Sequence, residues 1–427
     1  MNVLLLEPAY RNNFPPLGLM KLAAYHRTIH SDFVWFSKGE LSADAPSCKW
    51  DRVYVTTLFT YEWKRTIKMI EYAKTLAPAG AVYVGGILAS LMPEDMERET
   101  GIKPMTGLLT DSALIGYGDN YNIDRITPDY SILEHTSYKY RAANAYFTSA
   151  TKGCGMRCGF CAVQTLEPDY CSYIPIGEQL REIEEKYGTR RNLMLMDNNI
   201  LLSPKFEQII EDVRQLGFGV GGKWLNPKTG KMNNRYVDIN QGLDANHLTR
   251  EKAEQLATIS LTTTRIAFDH IDDERKYLTA METAESAGLY KLSNYLLYNT
   301  PRFTGKGTPR RADTPEDLWN RIRINVEFAE EMDKKHARLS LPRFEAYSYP
   351  MRYAPLTAKD RTFVGDNWTT QTLKNVRLML HVTKGVVYSR RPYFEAVWGK
   401  SVGEFYARLA MLGSEVEGFV KGKLNAL

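Results

Sequence analysis

The sequence predicts an α/β protein in three parts: an N-terminal doubly wound parallel sheet, a partial (β/α)6 barrel, and a mostly helical C-terminal extension. Three observations predict it. Short β-branched runs alternate with amphipathic segments over residues 1–118. The alternation pauses in a polar, tyrosine-rich stretch at 119–143, read as a linker, and resumes with six strand candidates over 144–345. From 346 to 427 aromatic and basic residues become frequent and the pattern turns helical.

In the first part, Asn2–Glu7 is an apolar strand, Leu17–Tyr25 has helical spacing after Pro15-Pro16, and Arg52–Thr57 is β-branched. Trp63–Leu76 is an amphipathic helix, and Ala81–Val84 is a strand ending at Gly85-Gly86. Sheets of this kind bind ligands at the carboxyl ends of their strands. In the second part the strand candidates are Ala145–Ala150, Asn192–Met196, Tyr236–Asn240, Thr264–Phe268, Leu292–Leu297 and Arg338–Leu341. Ser203-Pro204 and Thr314-Pro315-Glu316-Asp317 read as helix starts between them. Six strands are too few for an eightfold barrel. Gly217–Arg235 breaks the rhythm as a hairpin-like, exposed excursion carrying Lys223, Lys228, Lys231 and Arg235, a solvated loop by default. In the third part Thr370–Thr383 and Val402–Leu412 read as helices.

The chain has 427 residues, 44% hydrophobic and 25% charged, an ordinary soluble composition. It has no run of about 18 uncharged apolar residues, so no membrane span or membrane partner is expected. The start Met1-Asn2-Val3-Leu4 lacks a signal-peptide pattern, which makes a cytoplasmic location the expectation. The net charge of +5 is mild and does not argue for nucleic acid.

Five cysteines occur, and four of them fall between Cys154 and Cys171. Clustered thiols in a large chain of this type point to metal or catalysis rather than to a disulfide framework. Cys154, Cys158 and Cys161 are spaced C-x3-C-x2-C directly after a strand, with glycines at 153, 155 and 159 that let the backbone curl around a large object. Thiolates are the soft ligands of iron–sulfur clusters. Three ligands leave one position of a four-iron cluster open, as catalytic metal sites do. The competing reading is a structural zinc with Cys171 as fourth ligand, as in a nucleic-acid-binding protein with a structural zinc; Cys171 reads more readily as a small buried hydrophobe, and Cys48 lies far off in sequence.

On the stretch Cys154-Gly155-Met156-Arg157-Cys158-Gly159-Phe160-Cys161 the sequence resembles the radical S-adenosylmethionine (SAM) enzymes, whose hallmark is C-x3-C-x-aromatic-C after the first strand of a partial barrel. The resemblance implies a [4Fe–4S] cluster on Cys154, Cys158 and Cys161, SAM chelated on the open iron, and Phe160 near the adenine. It implies an enzyme that forms a 5′-deoxyadenosyl radical, and an electron donor such as flavodoxin or ferredoxin.

Polar groups crowd the predicted strand ends. Asp197-Asn198-Asn199 follows the second strand, Asn240-Gln241 the third and Asp269-His270 the fourth; Asn294 lies in the fifth. Amides and carboxylates suit a ribose and a methionine moiety, so Asp197, Asn198, Asn240, Gln241, Asp269 and Asn294 are the candidate SAM or substrate contacts. Helix capping is the competing explanation for each one singly. Asp238–Asp244 is similar to the third-strand region of the family. Asp197-Asn198-Asn199 stands where the family often has Gly-Gly-Glu. His247 and His270 read as surface or capping residues. Arg302, Lys306, Arg310 and Arg311 around Gly305 and Gly307 form a basic loop that would suit a phosphate or carboxylate.

Residues 1–118, through the opening strand, Phe14–Leu19 and Val84-Gly85-Gly86, resemble the cobalamin-binding-type, Rossmann-like domain of one subgroup, although no D-x-H-x-x-G motif is present. Three functions stay open: a radical SAM enzyme without cobalamin, favoured; a cobalamin-dependent radical SAM methyltransferase; and a non-catalytic electron carrier or sensor. The substrate is left open among small molecule, nucleotide, peptide and nucleic acid. Tyr349–Tyr353 and Gly365–Trp368 match no motif and are candidates for substrate selection.

Overall fold

The computed structural model describes residues 1–304, 307 and 309–427. Four parallel strands open the chain, β1 (Asn2–Glu7), β2 (Phe33–Lys38), β3 (Arg52–Thr57) and β4 (Val82–Gly86), in the order β2-β1-β3-β4. Val3 to Leu6 are fully buried, the continuous apolar run of a central parallel strand. The period of two sends Val3 and Leu5 to one face, beside Met20 and Tyr25 of helix Leu17–Ile29, and Leu4 and Leu6 to the other, beside Ile70 and Ala73 of helix Trp63–Leu76. β2 is an addition to the strands expected here. Its Phe33-Val34-Trp35-Phe36 run is aromatic and β-branched, and it pairs in register with β1 from Asn2↔Phe33 to Glu7↔Lys38.

The second set is β5 (Ala145–Thr148), β6 (Asn192–Leu195), the hairpin β7 (Lys223–Leu225) and β8 (Met232–Asn234), β9 (Val237–Ile239), β10 (Thr264–Ala267), β11 (Lys291–Tyr298), β12 (Glu345–Arg352) and β13 (Val387–Tyr388). β5, β6 and β9 form one parallel sheet; β10, β11 and β12 form another, with β13 antiparallel at its edge. Single parallel bridges, Val237↔Leu261 and Leu243↔Ile266, carry the pairing from the first sheet towards the second. Six parallel strands therefore follow one another in chain order, with their carboxyl ends on one side.

The sixth expected strand is corrected. Arg338–Leu341 is not a strand: helix Pro315–Leu339 runs through Leu339 and ends on Ser340 in the left-handed conformation. The helix is strongly specified at its start, where Thr314 and Asp317 cap each other's backbone N–H, and its 25-residue amphipathic pattern overrides the short Arg-Leu-Ser-Leu alternation. The sixth strand is β12, which contains Pro350. β13 pairs only with Tyr347 and Ser348, so Pro350 lies beyond it, where the missing N–H breaks no ladder on that side.

The excursion at 217–235 is the β7–β8 hairpin, anchored by a buried Trp224 whose indole N–H reaches Thr189 Oγ1 at 3.2 Å. Four helices, Thr370–Val382, Arg391–Trp398, Val402–Ala410 and Gly413–Asn425, end the chain around a fully buried Trp398. The carbonyl of Trp398 accepts from the Trp319 indole of helix Pro315–Leu339 at 3.2 Å. Among the described residues no helix is long and apolar enough to cross a membrane.

Candidate active site

The cysteine loop is pinned before it begins. Asp197, past the end of β6, is fully buried; its carboxylate accepts the Thr151 hydroxyl at 2.7 Å, the Thr151 N–H, and the Ala150 N–H at 3.2 Å. Burial pushes this carboxyl up to about 6 against the pull of those hydrogen bonds. At Gly153 the backbone has φ +70°, and a Cβ there would lie 2.6 Å from the Asp169 carbonyl, so the turn requires glycine. The Gly153 N–H donates to Glu167 at 2.8 Å, and the Asn198 amide donates to the same carboxylate oxygen at 2.7 Å. Gln164 closes the loop, its amide donating to the carbonyls of Cys154 at 2.7 Å and Met156 at 2.9 Å.

Cys154, Cys158 and Cys161 open onto a cavity of roughly 560 Å³ at the carboxyl ends of the strands. Phe160, Asn198, Gln241 and Asp269 line it with them, and so do Asp244, Asp273, Thr300, Phe303 and Arg310. The Phe160 ring sits 6.2 Å from Phe303, which packs over Gly159. Burial, then repulsion from Cys161, Asp269 and Cys154, pushes the Cys158 thiol up to about 12. Thiols so placed become thiolates when a cationic centre joins them. The Met156 N–H points at the Cys154 sulfur at 3.4 Å, and the Val163 N–H at that of Cys161.

Among the described residues no three His, Cys, Asp or Glu side chains converge to hold one metal ion. A mononuclear site needs such convergence, whereas a four-iron cluster takes each thiolate at a different iron. The donor set, three soft ligands in one glycine-bearing loop beside a roomy cavity, fits the cluster.

Asp269 follows β10. Burial pushes its carboxyl up to about 6, with Arg321 pulling it down and Asp273 pushing it up. Arg321, fully buried, donates to the carbonyls of Phe268 (3.1 Å), Asp269 (2.8 Å) and Leu297 (2.9 Å) and to the Asp313 carboxylate (2.7 Å). It ties the ends of β10 and β11 together under the cavity.

The predicted residues thus divide. The three cysteines, Phe160, Asn198, Gln241 and Asp269 come together around one cavity; Asp197, Asn240 and Asn294 do not line it. Asp197 serves the loop backbone. Asn294 is fully buried and donates to the Tyr277 hydroxyl at 2.7 Å, on the helix side of the sheet. Asn240 contributes its carbonyl to the Tyr295 hydroxyl at 3.3 Å.

Of the basic loop, Arg310 is held by both oxygens of Asp273 (2.6 and 2.7 Å) and Arg311 by Asp317 (2.7 Å), so neither is free for an anion. Gly305 and Lys306 lie outside the described residues. His270 is a cap, as expected, accepting the Asp272 N–H at 3.2 Å, but it is buried. His247 bonds Asp244 at 2.7 Å. Cys171 is half-buried rather than buried: its backbone pairs with Lys152 and its sulfur faces Arg125 at 3.7 Å.

Glu167, Asp273 and Phe303 were not singled out from the sequence, and Asp244 was noted only as the end of the third-strand segment. Glu167 lies six positions beyond Cys161, close enough to be suspected; the others become visible only once the strand ends converge.

A second cavity, roughly 340 Å³, lies between the carboxyl edge of the N-terminal sheet and the second set of strands. Tyr54, Thr56, Gly85, Gly86 and Ser90 form one wall, and Ser149, Lys152, Glu167 and Met196 the other. Asn198 and Gln241 line both cavities.

No protein-family model matches the chain, and no curated protein matches it. Among solved structures the chain is similar to the radical S-adenosylmethionine methyltransferase TsrM from Kitasatospora setae, solved with a tryptophan substrate and the SAM analogue aza-SAM bound. The sequences are 14% identical, the TM-score is 0.55, and the match covers 78% of this chain and 71% of that one. At this identity the likeness is one of fold: the chain has a mixed α/β, radical-SAM-like fold.

Proposed function

We propose that this chain is a radical SAM enzyme, with a [4Fe–4S] cluster on Cys154, Cys158 and Cys161 and SAM on the iron that has no protein ligand. One observation carries the reading: a C-x3-C-x2-C loop at the carboxyl end of the first of six sequential parallel strands opens onto a polar cavity that adjoins it. The likeness of fold supports it. Held by Cys154, Cys158 and Cys161, such a cluster would supply the single electron for reductive cleavage of a carbon–sulfur bond of SAM, the chemistry that releases methionine and a hydrogen-abstracting 5′-deoxyadenosyl radical.

The chain's own groups do the rest. Asp197 and Glu167 hold the loop that presents the three sulfurs. Phe160, backed by Phe303, offers an apolar face for an adenine. Asn198, Gln241 and Asp269 present amide and carboxylate groups to the hydroxyl, amino and carboxylate groups of SAM and substrate. A low-potential donor of the flavodoxin or ferredoxin kind supplies the electron.

A second reading is favoured by the second cavity, which lies where a parallel sheet binds ligands and shares Asn198 and Gln241 with the first. It is a cobalamin-dependent methyl transfer, with the N-terminal sheet as the cobalamin-binding domain. Among the described residues no histidine lines that cavity to ligate a cobalt ion.

The test is anaerobic reconstitution with iron and sulfide, reduction, addition of SAM, and mass spectrometry for 5′-deoxyadenosine, with bound metals measured in the same sample. 5′-Deoxyadenosine with iron and no cobalt supports the first reading. Uptake of cobalamin supports the second. Iron without SAM cleavage favours a carrier or sensor, and zinc in place of iron overturns the proposal. Replacing Cys154, Cys158 or Cys161 by alanine removes the iron; replacing Cys48 or Cys171 does not.

A further inference from the structure

A row of charged side chains joins the N-terminal sheet to the cysteine loop. Lys21, on helix Leu17–Ile29, is buried, and its ammonium donates to the Asp124 carboxylate at 2.8 Å and to the Asp124 carbonyl at 2.6 Å. The Asp124 carboxylate also faces the Lys152 ammonium at 3.4 Å, and Lys152 faces Glu167 Oε1 at 3.9 Å. The other oxygen of Glu167 takes the Gly153 N–H and the Asn198 amide. All of these side chains line the second cavity.

We propose that Glu167 is a positioning residue for the cysteine loop, and that the Lys21–Asp124–Lys152 row makes its position depend on the N-terminal sheet. The inference rests on the reading of 154–161 as the cluster loop. Gly153 directly precedes Cys154 and takes a left-handed φ of +70° where an added Cβ would meet the Asp169 carbonyl at 2.6 Å, so the direction of its N–H is part of the turn that carries the first cysteine. Glu167 fixes that direction with an ionised acceptor, the stronger kind of hydrogen bond. The same oxygen holds Asn198 in the wall common to both cavities. One carboxylate therefore sets the flank of the first cysteine and the amide that faces it.

Lys152 stands between two carboxylates, nearer to Asp124 than to Glu167. With Asp124 neutralised, Lys152 closes on Glu167 and draws that carboxylate off Gly153 and Asn198. The N-terminal sheet, holding Asp124 through Lys21, thereby keeps Lys152 from disturbing the loop. A ligand that fills the second cavity touches every member of the row, so its presence is transmitted to the cysteine loop and to Asn198.

The experiment is hydrogen exchange on the full chain before cluster loading, read in peptides spanning 150–158, followed by reconstitution, iron analysis and EPR of the reduced cluster with and without SAM. Glu167→Ala is expected to speed exchange in that peptide by at least about tenfold. Asp124→Asn is expected to speed it by less. Glu167→Gln keeps an acceptor oxygen but loses the charge and the ion pair with Lys152, so exchange quickens by less than in Glu167→Ala and Asp124→Asn added to it has no further effect. The SAM-dependent change in the EPR spectrum is altered in Glu167→Ala. Unchanged exchange in Glu167→Ala overturns the positioning role. An equal effect of Asp124→Asn with Glu167 and with Gln at 167 overturns the coupling, as does no effect in either. A wild-type chain that takes up no iron overturns the cluster reading alone, because the exchange rates still decide the role of Glu167.

Discussion

Arg321→Met isolates the joint beneath the cavity. Methionine keeps much of the side-chain volume and none of the donors. The guanidinium makes four hydrogen bonds to the ends of β10 and β11 and to Asp313, and Nε adds a fifth to the Asp317 carbonyl at 3.2 Å. Both members of the Arg321–Asp313 pair are fully buried. Removing one partner of such a pair costs about 3–5 kcal/mol, because the other charge stays buried without compensation. The magnitude depends on pH in a definite direction. Burial raises the Asp313 carboxyl from 3.8 to about 6 even with Arg321 beside it. A carboxyl with a raised folded pKa contributes stability that is full below about 3.8 and lost as pH rises through about 6. Without Arg321 the carboxyl rises further, and the loss extends to higher pH. The gap between wild type and variant is therefore wider at pH 8 than at pH 5. Urea denaturation followed by tryptophan fluorescence reads it, since the Trp368 indole donates to the Asp313 carbonyl at 3.2 Å. Adding Asp313→Asn to Arg321→Met should recover about half of the loss, by removing the stranded charge. A variant within about 1 kcal/mol of wild type at pH 8, or equal losses at both pH values, would refute the reasoning.

Four further outcomes are expected. Asp197→Ala strands the N–H groups of Ala150 and Thr151 and the Thr151 hydroxyl at about 1–3 kcal/mol each, and iron content after reconstitution falls with SAM absent; Asp269→Asn keeps the iron and weakens SAM or substrate binding, read by calorimetry. Gly153→Ala meets both the positive φ and the Asp169 carbonyl, so it lowers iron content and thermal midpoint together. His26, fully buried between Asp32 (2.8 Å) and the Tyr54 hydroxyl (3.0 Å), is lowered from 6.5 to about 4 by burial, so it draws stability out of the N-terminal sheet as pH falls from 6.5 towards 4, by about 3 kcal/mol in full, and His26→Gln removes that part of the acid sensitivity in a denaturation series.

Much of the fold was legible because parallel strands between helices leave repeated local signals. Five of the six sequential parallel strands of the second set stood in the sequence as short apolar runs at nearly their observed places. The sixth did not, for two competing reasons. Arg338–Leu341 looks extended over four residues, but it lies at the end of a helix whose capping box and long apolar face settle the matter. Glu345–Arg352 carries Pro350, which argues against a strand unless the edge is known, and the edge is set by the two-residue β13, some 40 positions later. β2 was missed although Phe33–Phe36 has the composition of a strand, because only His30-Ser31-Asp32, with no glycine or proline, separates it from the helix before it.

The cysteine loop was legible as a candidate site because spacing, aromatic and preceding strand are all local. The amides and carboxylates were legible as a group but not one by one. Each Asn or Asp at a strand end has two uses, to face the cavity or to satisfy backbone that the chain reversal leaves bare, and composition is the same for both. The structure separates them by direction. Asn294 belongs to a buried chain that runs from its amide to the Tyr277 hydroxyl, on to Asn325 at 2.9 Å, and from the Asn325 amide to Ser348 at 3.1 Å, joining β11 and β12 to two helices. Asp197 and Arg321 likewise spend their polar atoms on the loop and strand ends that carry Cys154 and Asp269. A cavity that must hold reacting groups in fixed geometry needs such a floor, since every donor facing the ligand is only as well placed as the backbone beneath it. The polar density of the strand ends thus marks a site twice over, through residues that face it and through residues that hold those in place, and substitutions in the second group should be read first in iron content and stability rather than in SAM affinity.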